Sequence, residues 1–212
     1  FTGPAWDLWH GAKLESLGEG ARLAERIDLQ RLGLDPASLG ALDLGSGKRD
    51  VIVFVDPRCP HCRDLDPILS RWASDQPPEV RFVRIPAIFN RPAQLHAQMF
   101  FTAELLSANG TLTEFERFHD TVFEEFHRRG NRLVSVDAIE RLFARFEVSA
   151  DDFNKAWNSF PVNQKIRVAA DLGRRYGATS VPTVIVNGKY RVPNTRNLLE
   201  VIDELLVREG LR

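Results

Sequence analysis

Val51-Ile52-Val53-Phe54-Val55-Asp56-Pro57-Arg58-Cys59-Pro60-His61-Cys62 joins an unbroken apolar run to two cysteines separated by two residues. Five β-branched or aromatic residues in a row predict a strand buried on both faces, as in a sheet covered by helices. Asp56-Pro57-Arg58 ends that strand, and a helical pattern follows at once. Leu65, Ile68, Leu69 and Trp72 fall at i, i+3, i+4 and i+7, which makes one apolar face. Pro67 lies inside the pattern and is expected to kink the helix. After the Pro77-Pro78 break, Val80 to Ile85 predicts a second strand, parallel to the first through a right-handed crossover.

Further along the chain the character changes. Residues 92–160 read as helical throughout. Pro92 suits the first turn of a helix running towards Leu106. Thr111-x-x-Glu114 is a capping-box pattern expected to open the next, whose apolar face is Phe115, Phe118, Val122 and Phe126. Val136, Ile139, Leu142, Phe143 and Phe146 line a third. Ser149-x-x-Asp152 starts a fourth, with Phe153, Trp157 and Phe160 expected on its inner side. Residues 164–176 predict another amphipathic helix, closed by Gly177 at the C′ position. Thr183-Val184-Ile185-Val186, Asn187-Gly188 and Lys189-Tyr190-Arg191-Val192 predict a hairpin with a type I′ turn. Leu198, Leu199, Ile202, Leu205 and Leu206 mark a last helix. The order is β-α-β, helical block, α, hairpin, α. Treating the block as an insertion leaves about four strands with helices on both faces.

Composition excludes several classes. The 212 residues can bury a core without disulfide staples, and 43% are hydrophobic. A formal net charge of −1 gives no global field for nucleic acid or an anionic membrane. No apolar run reaches the length of a membrane span. The chain opens Phe1-Thr2-Gly3-Pro4-Ala5-Trp6 with neither a basic n-region nor an apolar h-region, so any signal peptide is expected to have been removed. Two cysteines cannot build a disulfide framework, and with no third cysteine and no paired histidine spacing no metal site is expected.

The dithiol carries the chemistry. With Cys62 in the first helical turn, Cys59 sits at the helix N-terminus, where free N–H groups and the positive end of the dipole favour a thiolate. Pro60 suits a position whose N–H would be orphaned anyway. His61 adds a donor and potential positive charge beside the sulfur. A stabilised thiolate makes the disulfide form a stronger oxidant, so the segment points to donating disulfides. Cys62, one turn deeper, is expected to be less exposed and to resolve the mixed disulfide. Val181-Pro182, just before an apolar strand, is a candidate cis peptide that would present the Val181 backbone to substrate. Its alternative is an ordinary trans proline opening an edge strand.

These residues resemble the DsbA family of bacterial periplasmic thiol oxidases, built on a thioredoxin fold with a helical insertion. Cys59-Pro60-His61-Cys62 is similar to that family's dithiol and Val181-Pro182 to its cis-proline position. Phe82 to Ala87, Leu95 to Phe100, Ala156 to Phe160 and Val186 to Tyr190 are further matches, and the similarity covers about residues 50–192. The resemblance implies an α/β, thioredoxin-like fold with an inserted all-helical domain. The thioredoxin-like part would be residues 48–91 and 162–212, the insertion 92–161, and residues 1–47 an N-terminal extension. It implies periplasmic location and no cofactor beyond the redox-active disulfide Cys59–Cys62. Its substrates would be unfolded, reduced exported proteins, and its reoxidant a membrane partner of the DsbB type, with no nucleic acid involved.

Two features depart from the family pattern. A buried acid is common six residues before the first cysteine, where this chain has Val53, and the basic residue facing it corresponds to Arg84. Asp56, three residues before Cys59, is placed as in the DsbC and DsbG isomerases. Asp56 and Arg84 are therefore candidates for a proton relay to Cys62, and Asp56 equally suits a turn with Pro57. Residues 1–47, Leu-rich with Trp6 and Trp9, either pack on their own domain or form a homodimer. The dimer would favour an isomerase or reductase of the DsbC/DsbG kind. A redox-inert chaperone using the same groove is a third class, which two intact cysteines disfavour.

Overall fold

The computed structural model describes residues 49–210. The extension 1–47, with its two expected modes of packing, lies outside the described residues.

Strand β1 (Arg49–Val55) is the second of four strands in the order β2-β1-β3-β4, with β2 at Val80–Pro86, β3 at Thr183–Val186 and β4 at Tyr190–Val192. β1 runs parallel to β2, as the crossover predicts, and antiparallel to β3. Residues 51–55 are all at most 4% exposed, so the strand is covered on both faces. Alternation sorts its side chains. Val51, Val53 and Val55 enter one apolar cluster with Cys62, Leu69 and Trp72 of α1 (Pro60–Ser74) and with Ile202 and Leu205 of α7 (Leu198–Arg208). Ile52 and Phe54 enter the other, against Val162, Ala169 and Leu172 of α6 (Phe160–Arg175).

A third cluster sits among α2 (Arg91–Ala108), α3 (Phe115–His127), α4 (Val136–Ala144) and α5 (Ala150–Trp157), built on Met99, Phe118, Phe143, Phe153 and Trp157. α2 also reaches the sheet through Ala97, Phe100 and Phe101, so the helical layer and the sheet share a helix.

Several local expectations are met. Ser149 accepts from Asp152 N at 3.1 Å and caps α5. Asn187 and Gly188 both have positive φ, at 50° and 66°, and turn the β3–β4 hairpin. Gly177 ends α6 at φ 57°, and a Cβ there would lie 2.7 Å from Arg191.

Three expectations are corrected. Thr111 does not open α3: the helix starts at Phe115 with Glu114 at the cap position and no side-chain cap bond, because the Glu114 carboxylate pairs with Arg117 at 2.8 Å. α6 begins at Phe160 and not at residue 164, since Ser159 caps it and Pro161 fits its first turn. That break takes Phe160 off the inner face of α5 and leaves it 64% exposed.

Candidate redox site

Cys59 is the N-cap of α1, with extended backbone (φ −85°, ψ 118°), and Pro60 follows in the first turn. The turn before it is fixed by the Cys59 N–H donating to the Asp56 carbonyl at 3.0 Å. Both cysteines are free thiols in this structure. Cys59 is half-buried, whereas Cys62 is 1% exposed and packs into the α1/α7 side of the sheet. Burial pushes the Cys62 thiol up, opposed by a backbone hydrogen bond from Asp56 and reinforced by the neighbouring Cys59. One sulfur is thus presented and the other held protonated behind it.

The Val181–Pro182 peptide is cis, and the Cys59 thiol donates to the Val181 carbonyl at 3.6 Å. The two segments, 122 residues apart in sequence, meet at the sulfur. Beside them runs a groove of about 450 Å³ lined by His61, Leu65, Ile68, Val181, Pro182 and Leu198, among others. Ile68, expected on the buried face of α1, is 50% exposed because it forms part of this groove. His61 is exposed and lines the same groove, and no hydrogen bond joins it to either sulfur among the described residues.

The relay candidates are engaged elsewhere. Both Asp56 oxygens accept from Arg58, whose side chain curls back over the turn, and the Arg58 backbone N–H donates to Oδ1 at 2.9 Å. Arg84 stands opposite Val53 in the β1–β2 register. Its guanidinium donates to Asp66 Oδ1 at 2.9 Å, to both Glu116 oxygens and to the Ser70 hydroxyl, and neither sulfur is among its partners.

Asp66 was not singled out in the sequence. It sits one turn past Cys62, is 3% exposed, and has His119 Nε2 of α3 at 3.3 Å from Oδ2, off the line of a good hydrogen bond. Burial alone would raise its carboxyl, but His119 and Arg84 outweigh this and hold it at about 2. His127 was missed as well: its Nε2 lies 2.8 Å from the Pro57 carbonyl and ties α3 to the loop that carries the dithiol. Its partner is 70 residues away, so no local pattern could have shown it.

Known proteins are similar to this chain. A family model described as DSBA-like thioredoxin domain matches residues 50–205. The thiol:disulfide interchange protein DsbA of Pseudomonas syringae pv. tomato is 36% identical over 168 residues, spanning 77% of this chain and 76% of that protein. Its counterpart in Azotobacter vinelandii is 31% identical with the same coverage. Among solved structures, DsbA of Pseudomonas aeruginosa superposes with a TM-score of 0.69 at 31% identity, covering 77% of this chain and 85% of that one. The oxidoreductase DsbA of Xylella fastidiosa gives 0.71 at 26%, covering 81% and 91%.

Proposed function

From the premise that this chain belongs to the DsbA-like thioredoxin family, whose members are thiol–disulfide oxidoreductases, we propose that it is a dithiol oxidase that passes the Cys59–Cys62 disulfide to reduced, unfolded exported proteins in the periplasm. The observation that carries this reading is the asymmetry of the two sulfurs, Cys59 half-buried at the helix N-cap and Cys62 only 1% exposed behind it.

In the oxidised protein a substrate thiolate reaches only Cys59. Its sulfur forms a new bond to Cys59 Sγ, the Cys59–Cys62 bond breaks, and Cys62 leaves with the electron pair. Burial favours the neutral thiol at Cys62, so it takes up a proton from solvent, equivalent to the one the substrate thiol released on becoming a thiolate. A second substrate thiolate then attacks the substrate sulfur of the mixed disulfide. Cys59 leaves at the helix N-terminus, where the aligned peptide dipoles favour negative charge. Two electrons pass from substrate to protein, and a membrane partner of the DsbB type returns them to a quinone. No cofactor beyond the dithiol enters.

The groove beside Val181 and Pro182 supports broad substrate choice. Its walls are mainly aliphatic and its polar contact at the sulfur is a backbone carbonyl, which recognises any extended chain. Val53 leaves Cys62 without an acid on the strand beneath it. Asp56 is the carboxylate of the adjoining turn, and its use as a proton acceptor for Cys62 requires Arg58 to swing away.

The test mixes the oxidised protein with a reduced, unfolded substrate and counts thiols on both. One substrate disulfide should form per protein oxidised, and Cys59→Ser should abolish it. Oxidation that survives Cys59→Ser would overturn the reading.

A further inference from the structure

A second cleft opens on the opposite flank of the dithiol, against the helical layer. It also measures about 450 Å³ and is lined by Arg58, Pro92, His96, Phe126, His127, Arg132 and Val134. Arg58 is the residue before Cys59 and His127 is held on the Pro57 carbonyl, so the cleft borders the turn that carries the dithiol. The oxidase mechanism above makes no use of it.

Its lining is cationic. Two arginines face it, with no carboxylate among the lining residues. Arg58 is largely neutralised by Asp56. Arg132 is exposed and has no ion-pair or hydrogen-bond partner among the described residues, which leaves one unanswered positive charge at the rim. The loop that bears it is pinned. Buried Glu125 accepts from Arg129 at 3.0 Å, Asn131 at 2.8 Å and Arg145 at 2.6 Å, and Leu133, fully buried, adopts φ 46°. Arg132 is therefore held out over the cleft by a fixed loop, which lowers the entropic cost of engaging a ligand.

The floor is a buried histidine. His96 is 3% exposed, and its Nε2 lies 3.3 Å from the Leu133 carbonyl while Nδ1 has no hydrogen-bond partner. Val134, 74% exposed, and Phe126 add apolar wall. Positive charge at the rim and an apolar side together fit a peptide segment bearing a carboxylate.

We propose that this cleft is a second substrate subsite, which takes an acidic side chain carried by the reduced polypeptide a few residues from its attacking cysteine. The proposal rests on the dithiol-oxidase reading and adds to it a preference that the groove beside Val181–Pro182, whose lining includes the carboxylate of Asp64 and no lysine or arginine, cannot supply. An extended chain advances about 3.3 Å per residue, so about four positions reach about 13 Å from the cysteine, and a fixed subsite is met on one side of it only.

The test uses neutral peptides with one central cysteine and Glu or Gln at each of the four positions on either side. The quantity read is the rate at which each forms the mixed disulfide with the oxidised protein, as the Glu-to-Gln ratio at every position. That ratio cancels the intrinsic reactivity of the peptide thiol when variants are compared. At one or two neighbouring positions on one side the ratio is expected to fall about tenfold in Arg132→Glu. Arg128→Glu makes the same change of charge outside the cleft and should leave the ratio as it is in the parent protein. Ratios unchanged in Arg132→Glu, or lowered equally by Arg128→Glu, would overturn the subsite while the Gln peptides still report oxidation. Failure of every peptide to form the mixed disulfide would overturn the oxidase reading together with the subsite.

Discussion

Two successive turns of α1 have opposite surroundings. The first turn, with Cys59 and Cys62, lies against the apolar side chains of Val53, Val55, Phe123 and Val184. The second turn, with Asp66, is packed among polar partners: Arg84 from β2, His119 from α3 and, through Arg84, Glu116. The contrast separates reactivity from anchoring. Sulfur chemistry needs a site whose two thiols differ in exposure and whose charges do not pair with them. A buried ion network costs desolvation and returns most of it only while every partner is present, so it fixes where the helix sits more than it adds net stability. Placing that network one turn away locks the dithiol's helix onto both the sheet and the helical layer while keeping the Asp66 carboxylate out of the dithiol's turn.

If the two turns do separate roles, substitutions in them should break different properties. The largest effect belongs to the first turn. Cys59→Ser should lower substrate oxidation by about three orders of magnitude or more while shifting the urea midpoint little, a dissociation read from activity and denaturation of the same sample. In the second turn Asp66→Ala leaves Arg84 buried without its main partner and should cost about 3–5 kcal/mol of stability. The folded fraction of that variant should still oxidise substrate, and loss of activity at full folding would show that the turns are not separable.

The pH dependence of stability sharpens the same point. The Asp66 carboxyl is held at about 2, below its ordinary 3.8. A depressed acid stabilises the fold above its unfolded value and loses that contribution as pH falls through the folded one. Relative to Asp66→Asn, the protein should therefore lose about 2 kcal/mol of stability between about pH 5 and pH 2. A difference that stays constant over that window would show that the carboxylate is not tied as the geometry has it. The smallest effect lies at the far end of the helix, where Trp72 Nε1 donates to Asp203 of α7 at 3.0 Å. Trp72→Phe should cost about 1 kcal/mol from the lost bond, plus a cavity term, and leave oxidation unchanged.

The first turn was legible in the sequence and the second was not, for a physical reason. Strand β1, the CxxC spacing, Pro60, the Asn187-Gly188 turn and the residue pair Val181-Pro182 are local signals, carried by period, turn chemistry or a short motif. The absence of an acid at Val53 was equally visible. Asp66, by contrast, sits in Arg63-Asp64-Leu65-Asp66, which reads as a solvated helix face, and its partners lie 18 and 53 residues away. The same blindness applies to His127 and Pro57. Arg84 could be matched to a strand position, but its engagement by Asp66 and Glu116 depends on how three elements pack. Thr111-x-x-Glu114 failed in the other direction: a local pattern was present, and the nearer Arg117 took its carboxylate.

The division of labour between the sulfurs is the centre of this account, and selective alkylation tests it most directly. The reduced protein, treated with less than one equivalent of iodoacetamide at pH 7, is digested and the modified cysteine is located by mass spectrometry. Label confined to Cys59, with Cys62 modified only after unfolding, is the predicted result. Equal labelling of the two cysteines, or prior labelling of Cys62, would contradict it.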